Sequence, residues 1–389
     1  MQLRLKNRND SYTFLWKRTT MSNQNILDDM GYVRKTDKSD MLSFCVNAAE
    51  NYAKALKQTK RMSLPTMKPR DIIIAGMGGS AISGELLIDW TRDELRIPMA
   101  VCREYALPAY AGKDTLVIVN SYSGDTEESL SSLIDALDRK CMVICISSGG
   151  RLLEAAQRLD LPHVRVPSGM PPRAALPFMF TSLTVIVEKL GLVHSVDNEF
   201  SEAVKVLKYI SEADSPDQPY KNNFPKQLAS QIIHTIPIIY GFGMYRGAAQ
   251  RLKQQFNENG KTPAKWDYFS ELNHNETVGW ESSGEFLKCL STIFIRDKHE
   301  PIEIRSRIEM TKKLLPKQLK AFEIWSRGDC TLSRLLSAIL IGDFTSVYLA
   351  ILRGIDPTPV KTVSELKKNL EKSETRAKIL QRLAKITRK

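Results

Sequence analysis

From Asp71 onward the chain alternates short apolar runs with stretches of helical periodicity, and few architectures accept that pattern. "DIIIAG", "MAVCREY", "TLVIVNSYSG", "CMVICISSGG" and "HVRVPSG" hold apolar residues at consecutive positions, as strands covered on both faces must. Between them "AISGELLIDWT", "DTEESLSSLIDALDRK" and "RLLEAAQRLD" place apolar side chains at helical spacing. The alternation predicts an α/β protein with a parallel, doubly wound sheet.

After a further helix, "PPRAALPFMFTSLTVIVEKLGL", the polar stretch "SEADSPDQPYKNNFP" at 211–225 has the composition of a linker. The alternation then restarts. "IPIIYGFG" runs into "MYRGAAQRLKQQFNENGK", and "LSTIFIRD" and "AFEIWSRG" follow with helices between and after them. The expected organisation is a lead-in over 1–39, a first sheet-containing unit over 40–210, the linker, a second unit of similar design over 226–365, and a basic C-terminal helix or tail over 366–389. An amphipathic helix over 40–60 opens the first unit. A cleft between the two units is the expected site.

The net charge of +12 invites a nucleic-acid reading until it is located. Residues 1–20 carry +4 and residues 361–389 carry +7, leaving the body near neutral. Charge confined to two ends reads as solvated tails rather than a binding groove. Met21 offers a second start, which would leave residues 1–20 outside the fold. No stretch reads as a membrane span or secretion signal, and the six cysteines form no CxxC pair, so the chain is expected to be cytoplasmic, without disulfides or a zinc knuckle. Five dispersed histidines and the absence of HExxH argue against a metal site, and no G-x-x-x-x-G-K-[ST] loop is present. No cofactor is expected.

Two loops ask for an anion. Gly76, Gly78 and Ala81 fit the dinucleotide spacing G-x-G-x-x-A, which keeps a nicotinamide-linked oxidoreductase in view. Two strands later, "SYSGDTEESL" offers the hydroxyls of Ser121, Ser123 and Thr126 around Gly124, just before a helix whose free N–H groups face the same point. A single phosphate ester would use both loops. The plainer alternative is a turn shaped by the serines, with Thr126 or Asp125 capping the helix.

"GMGGSAISGELL", "SYSGDTEESL" and "PPRAALPFMF" resemble the sugar isomerase (SIS) domain, and their order with "FNENGK", "ELNHNE" and "DPTPVK" resembles the bifunctional phosphoglucose/phosphomannose isomerases. The resemblance covers roughly residues 24–370. It implies two SIS subdomains, a homodimer, a hexose 6-phosphate substrate, and metal-independent interconversion of glucose 6-phosphate, and of mannose 6-phosphate, with fructose 6-phosphate. It also implies a phosphate site of Gly78, Gly79, Ser80, Ser121, Ser123 and Thr126.

Moving hydrogen between C1 and C2 of a sugar needs a carboxylate above both carbons, a cation for the enediolate oxygen, and groups that open the ring. Glu258 ends the helix of "MYRGAAQRLKQQFNENGK", with Gly260 suited to its C-cap, and the "NEN" match makes it the base rather than a solvated residue in a fraying turn. His274, in a polar loop where histidines are usually just exposed, matches the ring-opening histidine of "NHNE", which in the family reaches across the dimer. Lys361 is either the first lysine of a basic tail or, by the family pattern, the partner of His274. Arg173, behind two prolines, is either a snorkelling surface residue or the cation beside the enediolate. Gly260 departs from the alanine usual in the family. A non-catalytic sugar-phosphate sensor is the alternative, although a sensor would not need Glu258, His274 and Lys361 together.

Overall fold

The computed structural model describes residues 23–281 and 284–388, so the basic leader and the second start at Met21 lie outside the described residues. Four helices lead in: α1 (Asn23–Asp28), α2 (Met30–Thr36), α3 (Met41–Val46) and α4 (Ala48–Thr59). The helix expected over 40–60 is thus two, broken at Asn47, whose φ of −90° and ψ of 12° leave the helical well. Next come β1 (Asp71–Ala75), α5 (Gly78–Thr91), β2 (Met99–Cys102), β3 (Thr115–Asn120), α6 (Glu127–Asp138), β4 (Met142–Ser147), α7 (Gly150–Arg158) and β5 (His163–Arg165). Three long helices follow: α8 (Leu176–Lys189), α9 (Asp197–Ala213) and α10 (Phe224–Ile232). The second alternation is β6 (Ile236–Phe242), α11 (Arg246–Glu258), β7 (Lys265–Phe269), α12 (Glu276–Gly279), β8 (Leu290–Arg296), α13 (Ile302–Leu314), β9 (Lys320–Trp325) and α14 (Thr331–Leu352). Helices α15 (Lys361–Leu370) and α16 (Glu374–Ile386) close the chain.

Both sheets are wholly parallel, in orders β2-β1-β3-β4-β5 and β7-β6-β8-β9. Every residue of β1 and β3 is buried, as their unbroken apolar runs require of central strands covered on two faces. In each sheet the chain turns outward from the first strand in one direction and from its inner neighbour in the other. Such a switch point opens a crevice at the carboxyl edge, between β1 and β3 in one sheet and β6 and β8 in the other.

Helix α14 is long and apolar enough by composition to cross a membrane, with mean hydropathy 2.0, although Arg334 and Asp343 interrupt its run of uncharged residues. It is a core helix, 94% buried in its most apolar window, packed against α9, α10 and α11. Asp343 at its middle is matched by Arg251 at 2.6 Å and Gln255 at 2.9 Å, both from α11. A lone carboxylate could not sit there, and burial still pushes its pKa up.

The two halves join where α5 meets α11. Arg246 donates to Glu85 (2.6 Å) and Asp89 (3.1 Å), while the Gly247 amide donates to Asp89 at 2.5 Å. Gly247 is needed for this approach, because a Cβ there would lie 2.8 Å from the Asp89 carboxylate. The C-terminal segment is no solvated tail. Although α15 is exposed throughout, Ile379 and Leu383 of α16 are buried in the apolar layer that covers α6 and the outer face of the first sheet.

Candidate active site

The two sequence loops leave β1 and β3 at the first switch point and are tied together. The Tyr122 amide donates to Ser80 Oγ at 3.1 Å, and Asn120 Nδ2 donates to the Ser80 carbonyl at 2.9 Å. Gly78 opens α5 in the left-handed region, at φ +50°. Thr126 occupies the N-cap position of α6, yet its side chain caps no backbone N–H. Its hydroxyl instead lies 3.3 Å from Ser121 Oγ and 3.5 Å from Ser123 Oγ. The six proposed anion ligands Gly78, Gly79, Ser80, Ser121, Ser123 and Thr126 therefore border one patch, with Ser123 and Gly78 exposed. Gly124, at φ +72°, lets the second loop press on Gly149, whose carbonyl would lie only 1.9 Å from a Cβ.

Arg173 stands beside this patch. The preceding carbonyl, of Pro172, would lie 3.0 Å from a Cβ on Gly79. The residue belongs to a short 3-10 turn (Pro172–Ala175) ahead of α8, and is only 3% exposed. Its guanidinium donates to Asn259 Oδ1 (2.5 Å), to the carbonyls of Pro357 (2.8 Å) and Thr358 (2.9 Å), and to Glu258 Oε2 (3.4 Å). Burial pulls its pKa down, and the Glu258 carboxylate opposes that fall. Arginine remains charged there. Glu258 is the last residue of α11, with its side chain 35% exposed.

The sequence misses Lys261. The left-handed residue after α11 is Lys261, at φ +49°, and not Gly260, which corrects the expected cap. Gly260 serves close packing instead, since a Cβ would lie 2.9 Å from the Phe256 carbonyl and 3.2 Å from Leu349. Lys261 Nζ donates to the Pro357 carbonyl at 2.9 Å and to the Glu258 carbonyl. Desolvation, then Arg173, lowers its pKa to about 8. Its only sequence signal is its place two residues past the "NEN" stretch.

Lys361, the first residue of α15, is exposed three residues beyond the Thr358 carbonyl that Arg173 holds. Among the described residues, no hydrogen bond or ion pair joins it to Glu258. His274 is exposed in a 3-10 turn (Glu271–His274) past the carboxyl end of β7. Helix α11 runs from the carboxyl edge of β6 back to the amino edge of β7, so Glu258 and His274 sit at opposite edges of one sheet. The helix alone spans about 20 Å at 1.5 Å per residue. Among the described residues no group of three or more His, Cys, Asp or Glu could hold a metal ion.

The second switch point is built otherwise. Tyr245, after β6, donates its hydroxyl to Asp297, after β8, at 2.5 Å, and Arg334 donates to the same carboxylate at 2.8 Å. Asp297 is 1% exposed.

The residues at 221–370 match the family described as the bacterial phospho-glucose isomerase C-terminal SIS domain. A bifunctional phosphoglucose/phosphomannose isomerase of Caldicellulosiruptor bescii is 40% identical over 85% of this chain and 98% of its own. The chain belongs to that family. A relative of the same name from Thermoplasma acidophilum is 33% identical over 84% of this chain and 99% of its own. In fold, the chain is similar to a crystal structure described as a putative phosphosugar isomerase of Clostridium difficile. Its TM-score is 0.61 at 15% identity, covering 90% of this chain and 98% of that one. The two-sheet SIS architecture expected of this isomerase family is the one observed.

Proposed function

We propose that this protein, a cytoplasmic homodimer, interconverts glucose 6-phosphate and mannose 6-phosphate with fructose 6-phosphate without a metal ion. The observation that carries the reading is the continuity from cradle to acid. Gly79 abuts Pro172, Arg173 follows, and Arg173 touches both Glu258 and Asn259.

The phosphate oxygens take hydrogen bonds from the hydroxyls of Ser80, Ser121, Ser123 and Thr126 and from the amides that open α5, including Gly78 and Gly79. Lys361 and His274 of a second subunit open the ring, since His274 of the same chain faces the other sheet edge. Glu258 then takes the proton from C2 of the open-chain aldose, leaving a cis-enediolate, and returns it to C1 to give the ketose. Arg173 is pre-positioned by four acceptors, so it balances the charge on the enediolate oxygen without reorganising.

The test is turnover of glucose 6-phosphate and mannose 6-phosphate side by side, with a chelator present. Wild-type protein is expected to convert both, and Glu258→Gln to lose at least about a thousandfold in kcat while still binding fructose 6-phosphate. An active Glu258→Gln protein would remove the base from this scheme, and full inhibition by the chelator would remove metal independence.

A further inference from the structure

The phosphate cradle has an electrostatic problem. Asp125 and Glu127 flank Thr126, and Glu127 is buried in the first turn of α6, 7% exposed. Glu127 Oε2 accepts from the Tyr105 hydroxyl at 3.2 Å, but Oε1 is buried with no hydrogen-bond partner. Carboxylates this close to a bound dianion would oppose it. Asp125 is paired with Arg151 at 2.8 Å. The cation facing Glu127 is Arg376, from α16, beyond the limit of the matched family region.

Arg376 is held for this task. Its side chain is 15% exposed, Nη1 donates to the Asp125 carbonyl at 3.2 Å, and the same nitrogen stands 3.9 Å from Glu127 Oε1. Ile379 and Leu383, on the same helix, anchor it in the apolar layer over α6, and Arg382 pairs with Asp138 at the far end of that helix. We propose that Arg376 is a positioning residue for substrate phosphate: it neutralises Glu127 and fixes the Asp125–Thr126 backbone, so α16 is a working part of the cradle. The inference rests on the phosphate site proposed above.

The experiment measures KM for fructose 6-phosphate and the competitive inhibition constant of inorganic phosphate in wild type, Ser123→Ala, Arg376→Gln, Glu127→Gln and the double variant Arg376→Gln/Glu127→Gln. Arg376→Gln is expected to raise both constants about threefold to tenfold, the loss falling on KM rather than kcat, as for a removed charge-assisted contact. Adding Glu127→Gln should restore them, which a merely structural role for Arg376 would not allow. If Arg376→Gln fails to fold, Glu127→Gln alone should still lower the inhibition constant. The proposal is overturned if Ser123→Ala raises both constants while Arg376→Gln leaves them unchanged, if Glu127→Gln gives no rescue in the double variant, or if Glu127→Gln alone leaves the inhibition constant where it was. If neither Ser123→Ala nor Arg376→Gln moves the phosphate constant, the cradle itself is wrong and this inference falls with it.

Discussion

Asp214, just past the end of α9, is 2% exposed, and its Oδ2 has no hydrogen-bond partner. Desolvation raises its pKa to about 6, with Arg327 only weakly opposing the shift. The native state therefore keeps a proton that the unfolded chain has already released. This group's contribution to stability is present below about pH 4 and disappears as pH rises through 6. Asp214→Asn removes the titration, and the Tyr348 hydroxyl that donates to the Asp214 backbone carbonyl is untouched. Urea unfolding should find the variant more stable than wild type at pH 7.5, by on the order of 2 kcal/mol, with the advantage shrinking toward pH 4. An equal difference at both pH values would exclude ionisation as the cause. Lys261 shows how a residue's role escapes sequence reading. Gly260 is the obvious left-handed candidate, but it is close packing against Leu349 and the Phe256 carbonyl that leaves no room for a side chain there, while the positive φ falls on the lysine.

At the scale of elements, the strands and their helices were legible because β1, β3, β4 and β8 are covered on both faces and so centre on short apolar runs. The loops after β1 and β3 were legible because glycines and hydroxyls concentrate where a backbone must turn closely. The reach of one loop into its neighbour was not. Gly124 matters less for its own turn than for Gly149 beyond it, a contact between residues from different βα units that no local pattern encodes. Gly124→Ala combines a strained φ with a direct clash, so unfolding should show a loss of about 2 kcal/mol or more, and KM for the phosphosugar should rise. A variant with wild-type stability would mean the loop can withdraw from Gly149. The docking of α16 was equally hidden: its two apolar anchors are sparse among basic residues, and the sequence reads as a tail until the face of α6 that receives them is known.

Across the whole molecule, the proposed chemistry needs two chains. Glu258 and His274 occupy opposite edges of the second sheet, and a rigid α11 keeps them apart. Coexpressing Glu258→Gln with His274→Asn tests the exchange. Each homodimer should be inactive, but the mixed dimer carries one site with an intact Glu258 and an intact His274, so random pairing should recover about a quarter of wild-type activity. No recovery, with mixed dimers confirmed by native mass spectrometry, would place both residues in one chain's site. Spacing alone does not suggest this exchange, since His274 follows Glu258 by only sixteen positions; the family resemblance of the loop around His274 is what implies a partner subunit.

The buried Asp297, clasped by Tyr245 and Arg334, occupies in the second sheet the place where the first sheet presents open hydroxyls. The architecture is doubled but the proposed phosphate cradle is not, for a carboxyl group held by Tyr245 and Arg334 stands in its twin. On the proposed reading, one half captures the phosphate and the other carries the acid, which gives one site per polypeptide.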